Sequence, residues 1–405
     1  MNKSQGSVTP NPCFWAVSSY ILPTMFEFQK HSRYFAQCGG ALEDLVAEEL
    51  SELGAKNCRP GYRGVHFRAD SEALYRVSYS TRLASRILAP LLSFDCHSDR
   101  YLHQTAIKME WETLLSEKET FVIDAKVSDS NIGHSRFAAQ RLKDAIADRF
   151  RERFGVRPSV DKLNPDLRIH LRIHQNRATI SVDLSGGALH RRGYRLDPVG
   201  APLQETLAAA IIRISGWKGE RPLYDPFCGS GTLMAEAAMM VSKIAPSSLR
   251  TGETPPLSHM PGFDTTLWEK VRGEIDAEAI PIDSRMINGS DIEQRAVRAA
   301  RKNLNRLPGG PRPYVKRQDF HDIESLENRC IVTNLPYGHR MGEREEVETL
   351  YKEFGDFLKH RCTGSTAWIL CGDTGLVKKI GLRPKRRIPI FNGPLECRLI
   401  ELDLY

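Results

Sequence analysis

The 405 residues give length for two or three domains, each able to bury a proper core. With 41% hydrophobic and 26% charged residues the composition is that of an ordinary soluble protein, and no window approaches the length of a membrane span. The net charge of +7 suits a polyanionic partner, while nine cysteines scattered singly, with no Cys-x-x-Cys pair, argue against a disulfide framework or a zinc site. Reduced thiols in the cytoplasm are the default, and neither metal nor membrane is expected.

In chain order, Phe14-Trp15-Ala16-Val17 to Tyr20-Ile21-Leu22 is apolar like a signal peptide, but Ser18 and Ser19 break it and its only early charge is Lys3. Residues 1–25 are therefore expected to be a disordered or upstream-start extension, with Met25 as the candidate first residue. Phe26 to Cys38 alternates and precedes Gly39-Gly40, Ala41 to Leu50 has apolar residues at helical spacing, and a strand pair is predicted around Val65 to Phe67. Helices are predicted from Ser71 to about Tyr79 and from His103 to Leu114, and Thr120 to Val127 is a clear strand. The next helix, Phe137 to Phe154, sets Leu142, Ile146, Phe150 and Phe154 four apart on one face and leaves Arg141, Arg149, Arg151 and Arg153 largely outside it. Strands over Leu167 to Ile173 and Ala178 to Asp183 follow, then a basic connector from His190 to Gly200.

Pro202 to Ala208 opens a helix. Pro222-Leu223-Tyr224 is a short strand running into Asp225-Pro226-Phe227-Cys228-Gly229-Ser230-Gly231-Thr232 and a helix. Gly229 and Gly231 let backbone approach a ligand, and the helix-start amides can receive a carboxylate or hydroxyl. A dinucleotide fold requires glycine where Met234 stands, and no phosphate-loop lysine follows, so the ligand is not read as a diphosphate. A Pro-, Gly- and Ser-rich insertion covers about residues 245–283, with a helical piece near Trp268 to Ile275. It postpones the acidic residue expected after the glycines to Asp291, followed by Ile292. A carboxylate at a strand end can accept both ribose hydroxyls; the alternative is an N-cap for the helix beginning near Glu293. Val315 to Phe320 is a strand ending in Asp319-Phe320, where Asp319 could equally be only a turn former.

Cys330 to Val332 reads as a buried strand stopped by Asn334-Leu335-Pro336-Tyr337-Gly338. In an open α/β sheet the working groups sit just past such a strand end. Asn334 places a side-chain acceptor there, Pro336 stiffens the backbone and Tyr337 offers a flat face, a cradle for a planar amine. The alternative is an ordinary strand with a Pro-Gly turn. Beyond lie a helix from Glu346 to Leu358, a strand from Ser365 to Cys371, and the cations Lys378, Lys379, Arg383, Lys385, Arg386 and Arg387. Asn392-Gly393 signals a hairpin, though Pro394 argues against a simple two-residue turn.

The turn from Asp225 to Thr232, followed by Asn334-Leu335-Pro336-Tyr337, resembles the class I amino-methyltransferases, whose tetrapeptide usually reads Asn-Pro-Pro-Tyr or Asp-Pro-Pro-Tyr. Ser128-Asp129-Ser130, His134 to Phe137, Arg141 to Ile146 and Val182 to Gly186 resemble a THUMP domain. Together they are most similar to the THUMP-containing methyltransferases that modify guanine N2 in bacterial 23S ribosomal RNA, in particular the amino half of the fused enzyme; the chain ends at Tyr405, so one activity is expected. The resemblance implies an α/β, Rossmann-like methyltransferase domain over residues 201–405, a parallel sheet with a terminal antiparallel hairpin. Before it come an α+β ferredoxin-like and THUMP part over 26–185 and a linker over 186–200.

The resemblance also implies S-adenosylmethionine as cofactor, held by Pro202, Glu205 and Thr206 at its methionine end, by Asp225, Phe227, Gly229, Gly231 and Thr232 at the glycine turn, and by Asp291, Ile292, Asp319, Phe320 and Asn334. It further implies catalysis by Asn334, Leu335 through its backbone carbonyl, Pro336 and Tyr337, so that the side chain of residue 335 should not matter and Leu335→Pro should be tolerated. RNA phosphates are assigned to Arg136, Arg141, Lys143 and the six terminal cations. A transfer-RNA guanine-N2 methyltransferase and a non-catalytic RNA-binding assembly factor are the alternatives, and a DNA adenine methylase leaves the THUMP part without a reason.

Overall fold

The computed structural model describes residues 25–196, 203–250, 255–283, 285–309, 312–337 and 344–405. The expected extension, apart from Met25, and also Pro202 and Gly338 lie outside them. The first half runs α1 (Glu27–His31), β1 (Arg33–Gln37), α2 (Glu43–Glu52), β2 (Lys56–Gly61), β3 (Gly64–Arg68), α3 (Ser71–Ser80) and β4 (Arg86–Asp95). It continues through α4 (Asp99–Ala106), β5 (Thr120–Ser128), α5 (Ser135–Phe154), β6 (Ser159–Val160), β7 (Leu167–His174) and β8 (Arg177–Asp183). These strands form one sheet in the order β2-β3-β1-β4-β8-β7-β5-β6.

The second half begins with α6 (Glu205–Ser215), β9 (Leu223–Asp225), α7 (Thr232–Val241), α8 (Thr265–Ala277), β10 (Ile287–Asp291) and α9 (Gln294–Leu304). There follow β11 (Tyr314–Arg317), β12 (Cys330–Asn334), α10 (Arg344–Arg361), β13 (Thr366–Cys371), β14 (Arg386–Asn392) and β15 (Leu395–Asp403). Its sheet order is β11-β10-β9-β12-β13-β15-β14, parallel from β11 to β13 and closed by an antiparallel hairpin, as the α/β reading expected. No described helix is long and apolar enough to cross a membrane.

Several local expectations are corrected. Glu27–His31 is a helical turn inside the alternating stretch Phe26 to Cys38, and the helix predicted over 103–114 is α4 followed by a short 3-10 turn at Trp111–Thr113. Leu142, Ile146 and Phe150 are buried on α5, but Phe154, the last residue of the helix, is 46% exposed. The unpredicted β4 pairs with both β1 and β8, and its Pro90, which cannot donate a ladder hydrogen bond, coincides with a register shift between Pro90 and Leu92. The hairpin β14–β15 does close through two residues, since Asn392 pairs with Leu395. Gly393 takes φ +63° and proline's ring fixes a negative φ after it, the sign pattern of a type II′ turn.

The halves are joined by a buried polar seam. Arg82, just after α3, donates from Nη2 to the Met239 carbonyl near the end of α7 (3.1 Å) and to the Ile244 carbonyl just beyond that helix (2.8 Å). Arg192 and Glu236 are both fully buried with Nε 3.6 Å from Oε1, and the Tyr194 hydroxyl donates to the same oxygen at 3.0 Å. In the insertion, α8 packs on α3, with Tyr79 donating to Asp276 at 2.9 Å and the rings of Tyr75 and Trp268 edge to face at 5.7 Å. Buried apolar residues of both halves accordingly belong to one contiguous core.

Candidate active site

In the second sheet β9 has β10 on one side and β12 on the other, so the chain order reverses at β9 and the strand ends there open a crevice. Asp225 ends β9, Asp291 ends β10 and Asn334 ends β12, which brings together three residues far apart in sequence. Gly289 is the close-approach point that sequence reasoning missed. A Cβ there would sit 2.6 Å from Met234 Sδ and 2.9 Å from the Asp225 carbonyl, so only glycine lets β10 lie this close under the turn. A glycine two residues before the acidic strand end was the available signal.

Gly229 (φ +53°) and Gly231 (φ +81°) lie in the left-handed region; a side chain at Gly229 would project into open space. The Gly229 amide donates to Asp291 Oδ2 and the Glu293 amide to Oδ1, both at 2.9 Å. Asp291 therefore does cap the turn before α9, while each oxygen keeps further acceptor capacity; burial raises its pKa. Thr232 starts α7 and its hydroxyl accepts from Arg195 Nη2 at 2.9 Å. Arg195 also faces Glu205 at 3.3 Å, and Glu205 and Thr206 are buried at the start of α6. Asn303 of α9 donates to the Ser230 carbonyl at 3.0 Å and holds the turn from behind.

Asp225 is fully buried and accepts from the Thr333 hydroxyl at 2.8 Å and the Phe227 amide at 3.2 Å. Burial, with Asp291 adding to it, pushes its carboxyl up to about 7 from the ordinary 3.8. The folded chain then holds a proton that the unfolded chain releases, so this group's contribution is full below pH 3.8 and is lost as pH rises through about 7. The stability difference between the parent and Asp225→Asn should change across that window by up to about 1.4 kcal/mol per pH unit. Urea midpoints at several pH values read it, and a flat difference from pH 4 to 7 would mean that Asp225 is ionised throughout.

The Phe227 and Phe320 rings are 5.3 Å apart, and Phe320 is 3% exposed within a second core around α10. Asp319 accepts from the His321 amide and ring at 3.0 and 2.8 Å, and Ile292 is exposed. The Asn334 side-chain oxygen accepts the Tyr337 hydroxyl. Tyr337 is half-buried with its ring on Gly372, where a Cβ would lie 2.5 Å from it, so one ring face is packed at the end of β13. Burial holds its hydroxyl well above the ordinary range, which keeps it a donor. Pro336 is exposed. Leu335 does not fit the expectation that its side chain is idle. It is 1% exposed in the second core and its amide donates to the Leu370 carbonyl at 3.3 Å, a bond that proline cannot make.

Of the cations assigned to RNA, Arg136, Lys378, Arg383 and Arg387 are exposed with no carboxylate partner among the described residues. Arg141 faces Asp99, Lys143 faces Asp144, Lys379 faces Glu348, Lys385 faces Asp403, and Arg386 pairs with Glu401.

Comparison with known proteins accords with this geometry. The family described as the RMKL-like methyltransferase domain matches residues 192–401. The chain belongs to the RMKL-like methyltransferase family. A THUMP domain matches residues 98–183 and the RlmL ferredoxin-like domain residues 33–88 of this RMKL-like chain. It is 37% identical to slr0064 of Synechocystis sp., named as a candidate RNA methyltransferase, over 95% of this chain and all of that one. It is 39% identical to the ribosomal RNA large subunit methyltransferase K/L of Syntrophotalea carbinolica over 92% of this chain and 53% of that protein, so it spans about half of that relative's length. Among solved structures, SMU.472, a candidate methyltransferase complexed with SAH, superposes with a TM-score of 0.81 at 28% identity, covering 92% of this chain and 98% of that one.

Proposed function

We propose that this chain is an S-adenosylmethionine-dependent methyltransferase acting on an exocyclic base amine of RNA, guanine N2 of large-subunit ribosomal RNA. The observation that carries the reading is the acceptor-bearing turn Asn334 to Tyr337 beside the glycine turn at the switch point of the sheet. The THUMP match and the relatives' names support RNA, and the SAH complex of SMU.472 supports the cofactor. In this reading residues 26–185 position RNA, 186–200 connect, and 201–405, with the insertion, carry the chemistry. All described cysteines are free thiols, which fits the cytoplasm.

The residues present fit the cofactor: a glycine turn open at Gly229, a strand end with spare carboxylate acceptors at Asp291, and the buried start of α6 for the methionine end. When bound, S-adenosylmethionine supplies an electrophilic methyl group. The base amine is a poor nucleophile because its lone pair is delocalised into the ring. Asn334 Oδ1 and the carbonyl of residue 335 accept its N–H groups and favour the positive charge that develops on nitrogen. Oδ1 has two lone pairs, so the Tyr337 hydroxyl can stay on one while the amine takes the other.

Asp291→Ala should weaken S-adenosylmethionine binding by about 1–3 kcal/mol through the lost ribose contacts. Calorimetry checks this, and unchanged affinity in Asp291→Ala and in Gly229→Val would remove the cofactor assignment. Mass mapping of modified nucleosides in a strain lacking the gene tests the substrate. Loss of a methylguanosine from large-subunit RNA is expected; loss from transfer RNA selects that substrate instead, and no loss leaves an assembly role.

A further inference from the structure

Strand β7 alternates without a break, Leu167, Ile169, Leu171 and Ile173 facing the core and Arg168, His170, Arg172 and His174 facing away. The outward set continues across the sheet: Arg172 lies opposite Lys126 and Thr179, His170 opposite Ser181, and Phe35 opposite His66 and Leu88. This face curls, because Arg172 of β7 reaches within 5.5 Å of the Tyr62 ring in the β2–β3 turn although β1, β4 and β8 lie between. The hollow is a cavity of about 750 Å³, walled on its far side by Gln204 and Thr206 at the start of α6 and by the hairpin turn Phe391, Gly393 and Pro394.

Its chemistry is one-sided. Arg63, Lys126 and Arg172 line it, and among the described residues no side-chain cation of the three is ion-paired, although the Arg63 amide donates to Glu43 at 3.2 Å; most cations of α5 are paired. Arg86 is neutralised by Asp124 and Asp183. Tyr62 is 70% exposed beside the Arg172 guanidinium, and the Phe35 and His66 rings meet at 4.8 Å, tilted by 55°. Unpaired cations around exposed rings match an anionic chain of planar groups. The hairpin wall also carries Asn392, which contacts the Tyr337 hydroxyl, so the cavity and the catalytic turn share a wall.

We propose that this cavity binds an unpaired stretch of the substrate RNA close to the target base, with phosphates on Arg63, Lys126 and Arg172 and a base on Tyr62. The proposal rests on the RNA methyltransferase reading and adds to it a binding site that the assigned cations do not include. A strand held there is delivered along the hairpin to Asn334. A free nucleotide offers the same chemistry, but the exposed Tyr62 rim leaves room for a chain to enter and leave.

The test is fluorescence anisotropy with a labelled single-stranded RNA 12-mer, on the full chain and on R63Q/K126Q/R172Q. Three lost phosphate contacts should lower the slope of log affinity against log salt by about two units, at about 0.7 each for single strands. Affinity for S-adenosylmethionine, read by calorimetry, should be unchanged and reports that the variant is folded. Y62A should lose about tenfold in RNA affinity, within the range of one stacked base. A triple variant that binds the 12-mer like its parent overturns the proposal, as does GMP displacing the 12-mer at an affinity equal to it, which marks a free-nucleotide site. If the triple variant loses the cofactor too, a 4-thiouridine 12-mer crosslinked to the parent decides: crosslinks at Tyr62 or Phe391 support the site, and crosslinks confined elsewhere overturn it. Should the parent neither bind RNA nor methylate ribosomal RNA, the function itself fails; should it methylate while the triple variant binds normally, only this site does.

Discussion

Asn334→Ala is expected to slow single-turnover methylation of a ribosomal RNA fragment by about a hundredfold or more at saturating S-adenosylmethionine, about 2.7 kcal/mol of barrier. The side-chain oxygen stands at the end of β12, beside the Asp225 and Asp291 strand ends, and the structure already gives it a donor in the Tyr337 hydroxyl. In the proposed mechanism alanine removes one of the two acceptors for the amine, and it leaves the phenol without that partner. Only half-buried, the position tolerates the loss of side-chain volume, so folding should be little affected. A saturating cofactor concentration separates the effect on the chemical step from any share of Asn334 in holding the cofactor. Methylation at near the parental rate would make the tetrapeptide a plain turn and move the active site elsewhere.

Glu236→Ala is expected to cost about 3–5 kcal/mol of stability, the usual result of deleting one member of a buried ion pair. Arg192 would keep its guanidinium in the interior with Nε facing nothing, and the Tyr194 hydroxyl would lose its acceptor. Because this pair lies in the seam, the loss should loosen the first half from the second before either unfolds. Urea denaturation followed by tryptophan fluorescence gives the magnitude, and cleavage by trypsin within the connector should appear at lower denaturant. An unchanged midpoint would mean that the pair is not balanced as its geometry indicates.

Legibility from sequence followed how local each signal was. Strand, turn and helix chemistry around Gly229, Asp291 and Asn334 is written in adjacent residues, and the resemblance to the amino-methyltransferases rests on those motifs. Strand β4 went unread because Pro90 interrupts it, and only the shift of pairing against β8 shows how it is accommodated. The sequence marks the connector only as basic, whereas Arg192 and Tyr194 are buried, since their partners Glu236 and the Arg82 carbonyl come from distant segments. Leu335 was taken as a bystander beside its own carbonyl, whereas its side chain packs under α10. The alternation of β7 was visible as a strand, but which of its faces remained bare depended on where α6 and the hairpin lie.

Helix α7 begins at the glycine turn and ends against Arg82, about 15 Å away at the usual rise per residue. The two modules are therefore not interchangeable parts. A chimera that replaced the first half with another domain would inherit Met239 and Ile244 carbonyls that face a missing arginine, and a buried Glu236 and Arg192 without the neighbours that enclose them. Domain shuffling in such a lineage has to carry the arginine along with the sheet, so the boundary that matters for inheritance or engineering runs through Arg82 and Arg192 and not through the connector's sequence alone.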